Sequence, residues 1–423
     1  MRFGVTLLLL ALTSVSGWAQ GPSGAPAEKL LSPAERRISQ ARMLIAKNPQ
    51  DFEAYNALAL ALSRRAREVS DVRFYTEAEE ALERSFDISP GNFDGKRTQV
   101  WLLLGKHEFA AALEAAKKLS KSRPHDVMLY GFLTDANVEL GNYKDAEAAA
   151  QSMLDLGPGI PALTRAAYLR ELFGDVNGAR QAMETAYEST PPGESEDRAW
   201  ILTQMAHLDL SIGNINRAED LLQQALAMFP SYHYALGNLG KVRISQKRYA
   251  EAAELLRQRY EAAPHAENLY ELAEALQLAD RSEEAKNAFT DFEQKSLLES
   301  QRADNSNHEL IFYYADHASH PAEALAVARR EFARRHDVYT LDAYAWALYV
   351  NGQLAEARTQ IETALSVGIR DAKLFRHAGE ITLRSGDRIS AKRYFERSAE
   401  LNTTDSRPAR EKLASFAEAP IGR

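Results

Sequence analysis

The chain has 423 residues and a formal charge of −8, from 51 basic and 59 acidic side chains, with 26% charged and 45% hydrophobic residues. That balance belongs to an ordinary folded protein and excludes a disordered tail or a basic nucleic-acid binder. There is no cysteine, which rules out disulfides, thiolate metal sites, a cysteine nucleophile and a lipid anchor on cysteine.

Residues 1–19 read as a cleaved secretory signal. Arg2 supplies the positive start, Leu7 to Leu12 the apolar centre, and Gly17 and Ala19 the small residues ahead of cleavage at Gln20. The apolar stretch of about eleven residues falls short of the roughly 20 that a bilayer-spanning helix needs. The expectation is export to the periplasm or an equivalent extracytoplasmic space, soluble after cleavage and without stable membrane insertion. Loss of Arg2 takes the charge from −8 to −9. Residues 20–33, which include Gly21-Pro22-Ser23-Gly24-Ala25-Pro26, read as a flexible linker.

The rest predicts helices. Alanine is about one residue in six, Gly and Pro number only 22 and 15, and no β-branched run alternates with polar residues. Residues 34–48 match a lone helix with Ile38, Ala41, Leu44 and Ile45 apolar. A repeat of about 34 residues then begins, with units starting near 52, 93, 127, 160, 199, 233, 266, 305, 338 and 372. Its twentieth position is alanine throughout: Ala78, Ala112, Ala146, Ala179, Ala218, Ala252, Ala285, Ala324, Ala357 and Ala391. Its fifteenth is Gly in five units (Gly141, Gly174, Gly213, Gly352, Gly386), and its thirty-second is Pro in six, from Pro90 to Pro264. Small residues let two antiparallel helices approach, Gly turns the chain between them, and Pro stops the second helix. Residues 406–416 read as a short amphipathic helix. With residues 34–48 it would cap the end repeats, which otherwise expose their packing faces.

This pattern resembles the tetratricopeptide repeat, with Ala, Leu, Gly, aromatic residues and Pro at the spacings of that family. The last units also resemble exported bacterial members that carry no catalytic domain. The resemblance implies an all-α fold, a right-handed superhelical solenoid of about ten helix-turn-helix units with N- and C-terminal capping helices, spanning residues 34–416 and followed by a tail, 417–423. Three register breaks, Arg64 to Phe74, Pro191 to Asp197 and Lys295 to Asn307, are expected on exposed edges of such a solenoid.

By analogy with the family, positions 2, 5, 9 and 12 of each first helix line a concave groove. Nine of those forty positions are aromatic: Trp101, Tyr168, Trp200, Tyr234, Tyr270, Tyr313, Tyr339, Trp346 and Tyr349. None of the chain's 16 phenylalanines is among them. A wet groove favours rings with a polar edge, so these nine are the candidate partner-binding residues. The competing reading is that they fill gaps between neighbouring helices.

Catalytic and metal signals are weak. His308, Asp316, His317 and His320 cluster in sequence, but eight residues of helix separate His308 from Asp316 by roughly 12 Å. His317 and His320 lack a fourth ligand. No phosphate loop, Gly-x-Ser-x-Gly or His-Glu-x-x-His motif occurs. No enzyme activity, cofactor or metal is expected. Two functions fit: an exported scaffold holding a protein or peptide in its groove, or a helical accessory subunit of an envelope export or polysaccharide machine, with glycan a possible ligand. Nucleic acid is disfavoured by the acidic charge and the lack of a basic patch.

Overall fold

The computed structural model describes residues 31–300, 306–401, 403 and 406–418. The chain divides into two units, residues 1–31 and 32–423. Only Leu31 of the first is described, so the signal segment and most of the linker lie outside the described residues, as does the tail from 419 onward.

Among the described residues of the second unit there are 22 α-helices and no strand. They pack in sequential antiparallel pairs, for example Val127–Glu139 with Tyr143–Leu156 and Val338–Val350 with Leu354–Ser366. The reason is local. All ten twentieth-position alanines are buried, nine of them at 0% exposure and Ala285 at 4%, because the two helices of each pair meet over them. The fifteenth position is left-handed in every unit from the second onward, with φ between 56° and 88°. Gly occupies it in five units, while His107, Lys247, Asp280 and Ser319 hold the same conformation elsewhere. The turn geometry is therefore set by the packing of the pairs, and glycine only makes it cheaper.

The ends are covered. Helix Pro33–Lys47 opens with a capping box between Ser32 and Glu35 and buries Ala34, Ile38 and Ala41. At the other end, helix Arg407–Glu418 buries Ala409, and its Phe416 meets Phe395 edge to face at 6.1 Å.

The first two register breaks come together. The first lengthens helix Phe52–Val69, the second starts helix Ser195–Ser211 four residues ahead of the repeat frame, and the two meet. Arg67 pairs with Glu196 and with Asp197 at 3.1 Å, and Arg37 of the N-terminal helix reaches Glu194 at 2.6 Å. The first and fifth units thus touch along a seam. A second seam joins Glu139 to Arg335 (2.7 Å), with the His336 amide donating to the Glu139 carbonyl (2.8 Å) and the Val338 amide to the Tyr143 hydroxyl (3.0 Å). One apolar cluster accordingly joins Val138, Leu169 and Leu172 to Val338 and Ile369. In the first two breaks Arg67 and residues 194–197 are drawn into a contact because the solenoid winds tightly enough for its successive turns to meet, while Pro191 to Gly193 remain exposed; the third break lies partly outside the described residues.

Candidate interaction face on the inner side of the solenoid

Of the nine aromatic groove positions, Trp101, Tyr168 and Tyr234 line one cavity and Tyr339 another, so they do not share one open trough. Inside the seams lies a cavity of about 480 Å³ lined by Trp101, Tyr168 and Tyr234 together with Arg67, Arg165, Arg259 and Arg335. It shares Tyr75, Gly105, His107 and Phe109 with a further space of about 770 Å³ that opens beside Ala333 and Arg334. A separate cavity of about 620 Å³ is lined by His207, Lys241, Glu271, Glu274 and Tyr339.

Each arginine of the first cavity already has an acid. Arg165 forks onto Asp135 (2.8 and 2.5 Å), Arg259 onto Glu271, Arg335 onto Glu139 and Asp337 (2.7 and 2.8 Å), and Arg67 onto Glu196 and Asp197. Arg165 and Arg259 reach their partners by crossing Gly131 and Gly237, where an added Cβ would stand 3.0 and 2.9 Å from the guanidinium. Burial works against the charge of Glu271, yet Arg259 and Lys241 outweigh it and hold the carboxyl down to about 2. At Glu139 burial wins over Arg335 and the carboxyl is pushed up. Burial brings His233 down to about 3; its Nε2 donates to the Arg67 carbonyl at 3.1 Å. The cavity is electrically balanced and offers polar-edged rings, which suits a largely neutral surface better than a polyanion.

The nine aromatic candidates divide. Tyr168 is 36% exposed, and Trp101 and Tyr234 are half-buried on the cavity wall. Trp101 meets Phe132 edge to face at 5.9 Å, and Tyr234 lies 3.9 Å from His233. Tyr339 lines the other cavity. Trp200 packs half-buried against the core of the fourth to sixth units. Tyr313 stacks on Phe289 at 5.5 Å.

Tyr270 and Trp346 are buried. Tyr270 donates to Glu274 at 3.0 Å. Trp346 lies between the rings of His377 (4.1 Å) and Tyr349 (4.8 Å) and donates its indole N–H to Asp316 at 2.8 Å. Beneath it Arg376 donates to His377 Nε2 (2.9 Å), and His377 Nδ1 hydrogen-bonds to Asp342 (2.7 Å). Burial pushes the Asp342 carboxyl up to about 7 against the pull of Lys373 and Arg376.

The clustered histidines are also apart in role. His308 is buried against Thr340 at 2.9 Å, whereas the His317 ring lies tilted against Phe289 at 4.4 Å, 3.7 Å from Glu274. What sequence reasoning missed is the paired charge around the cavity. Its trace was the charged content of the register breaks, Arg67, Glu196 and Asp197 among it.

No helix among the described residues is long and apolar enough to cross a membrane. The tetratricopeptide-repeat family matches residues 97–161 and 203–267. No curated protein matches the sequence. Solved structures similar to the chain include a human IFIT1 dimer with PPP-AAAA, 12% identical over 88% of this chain and 96% of that one, TM-score 0.49. Yeast Tom70 is 13% identical over 85% and 95%, TM-score 0.35, and a tetratricopeptide-repeat protein from Parabacteroides merdae is 16% identical over 62% and 100%, TM-score 0.37. Likenesses this distant carry no argument about ligand or partner.

Proposed function

We propose that this chain, a tetratricopeptide-repeat protein, is an exported, non-enzymatic scaffold that holds a polypeptide or assembly partner on the inner face of its solenoid. One observation carries the reading: Trp101, Tyr168 and Tyr234, from three separate units, converge on a single cavity of about 480 Å³ whose charges are already paired. Large rings with polar edges anchor interfaces at low entropic cost. Balanced charge around them favours a neutral chain over a phosphate backbone, which would have to displace carboxylates from four arginines. Export rests on the signal pattern of Arg2, Leu7 to Leu12 and Ala19.

Stacked rings also suit sugar faces, so the accessory-subunit reading is tested alongside. The mature protein and its Trp101→Ala/Tyr168→Ala variant are probed on a peptide array and a glycan array. Peptide signals lost in the variant support the scaffold. Signals confined to glycans would replace it with the alternative, and signals unchanged in the variant would remove the inner face from either.

A further inference from the structure

The two seams differ in kind. The Glu139–Arg335 seam includes a main-chain bond, His336 amide to Glu139 carbonyl at 2.8 Å, and a close approach at Gly141, where an added Cβ would stand 3.1 Å from His336 Cβ. The seam between the first and fifth units is made by side chains reaching across: Arg37 to Glu194, Arg67 to Glu196 and Asp197, and His233 to the Arg67 carbonyl. Tyr232 supports it from beneath by donating to Glu196 at 2.8 Å.

Its polar accounting is also incomplete. Arg67 Nε and His233 Nδ1 are buried there without a hydrogen-bond partner; in the other seam Glu139 Oε2 also lacks a hydrogen bond but is ion-paired with Arg335 at 2.7 Å. Closing the clasp strips Arg67 Nε and His233 Nδ1 of water without a hydrogen bond in return, whereas parting it rehydrates them. The outer ion pair, Arg37 with Glu194, is half-exposed, so water and salt weaken it, while the inner pair of Arg67 with Glu196, whose side chain is only 7% exposed, is the main resistance to parting. Both seams wall the same cavity, through Arg67 and His233 on one side and Glu139 and Arg335 on the other.

We infer that the seam between the first and fifth units is a clasp: the N-terminal helix and first unit swing off residues 194–197 to widen the cavity, while the Glu139–Arg335 seam stays closed as the fixed side. The clasp draws Arg67, Glu194, Glu196 and Asp197 from the first two register breaks, with Arg37 added from the N-terminal helix and His233 from the start of the sixth unit. Nothing in this depends on what fills the cavity, so it stands or falls separately from the scaffold reading.

The absence of native cysteine allows two label pairs in the mature protein. Gln40→Cys with Gly193→Cys spans the clasp at exposed positions, and Ala110→Cys with Ala333→Cys spans the fixed seam. Distances are read by pulsed electron spin resonance as ionic strength rises to about 1 M, where the screening length falls to about 3 Å, and again in Arg37→Glu. The clasp pair is expected to gain a longer population in salt and in Arg37→Glu, to lose it in the swap Arg37→Glu/Glu194→Arg, and to leave the other pair unmoved. Thermal melting on every variant distinguishes parting from unfolding. Clasp distances that stay short and narrow throughout, both pairs lengthening together, or failure of the swap to restore the short distance would overturn the inference.

Discussion

Gly141 lies so close to His336 that a Cβ added to it would stand 2.9 Å from the His336 carbonyl oxygen. The contact joins the turn of the third unit to the start of the ninth, and the amide of His336 donates to the carbonyl of Glu139 beside it. A repeat glycine used locally as a turn is thereby used a second time, as the point where successive windings of the solenoid touch.

That double use can be separated by comparison. Gly141 and Gly352 share the same left-handed turn, at φ 75° and 74°, but Gly352 has open space where its Cβ would be. Gly352→Ala should cost only the backbone strain, about 1 to 2 kcal/mol. Gly141→Ala should cost that plus roughly 1 to 3 kcal/mol for the displaced seam. Urea unfolding of the two variants checks the difference; equal costs would mean the seam contributes nothing.

Lys247 carries the strain in the opposite sense. It holds φ 60° at the fifteenth position of the sixth unit, where five other units have glycine, and its side chain is exposed. Lys247→Gly should raise stability by about 1 kcal/mol, because glycine adopts this conformation freely and the gain exceeds its added unfolded-state entropy. A lower urea midpoint would show that the turn is not strained.

Asp342 makes stability depend on pH. Its carboxyl, 2% exposed, is raised to about 7 from an ordinary 3.8. The folded state thus holds a proton that the unfolded state releases, so the contribution is complete below about 3.8 and is lost as pH rises through about 7. Between pH 6 and 9 the loss is on the order of 1 kcal/mol. Asp342→Asn should flatten the stability profile over that window by this amount. His233, brought down to about 3, works on the acid side: its contribution is complete above 6.5 and falls away below it. A variant profile parallel to the wild type from pH 6 to 9 would contradict the assignment to Asp342.

The helix pairs were legible because their causes are local. An alanine every 34 residues, a glycine before the second helix and a proline after it each act within one unit, and the buried alanines and left-handed turns follow directly. The seams were not legible. Arg67 and Glu196 stand 129 residues apart, and no periodicity connects them. Whether they meet depends on the small rotation added at each unit, summed over five units. Neighbouring side chains decide which inner aromatics stay open: Tyr168 faces a cavity while Trp346, at an equivalent repeat position, is closed in by Tyr349 of its own helix and His377 of the next unit. Composition favoured Trp and Tyr at both and could not tell them apart.

The most direct measurement compares two variants of the protein, Trp101→Ala/Tyr234→Ala and Trp346→Ala, for melting temperature and for capture of polypeptide partners. The first pair lines the cavity half-buried, so removing the rings should abolish capture, with affinity falling thirtyfold or more for a loss of about 2 kcal/mol, and should leave melting within a few degrees. Trp346→Ala opens a hole in a packed stack and should cost roughly 3 to 5 kcal/mol of stability, with capture per folded molecule retained. Capture kept by Trp101→Ala/Tyr234→Ala, or lost only in proportion to its unfolding, would contradict the inner face as the binding surface.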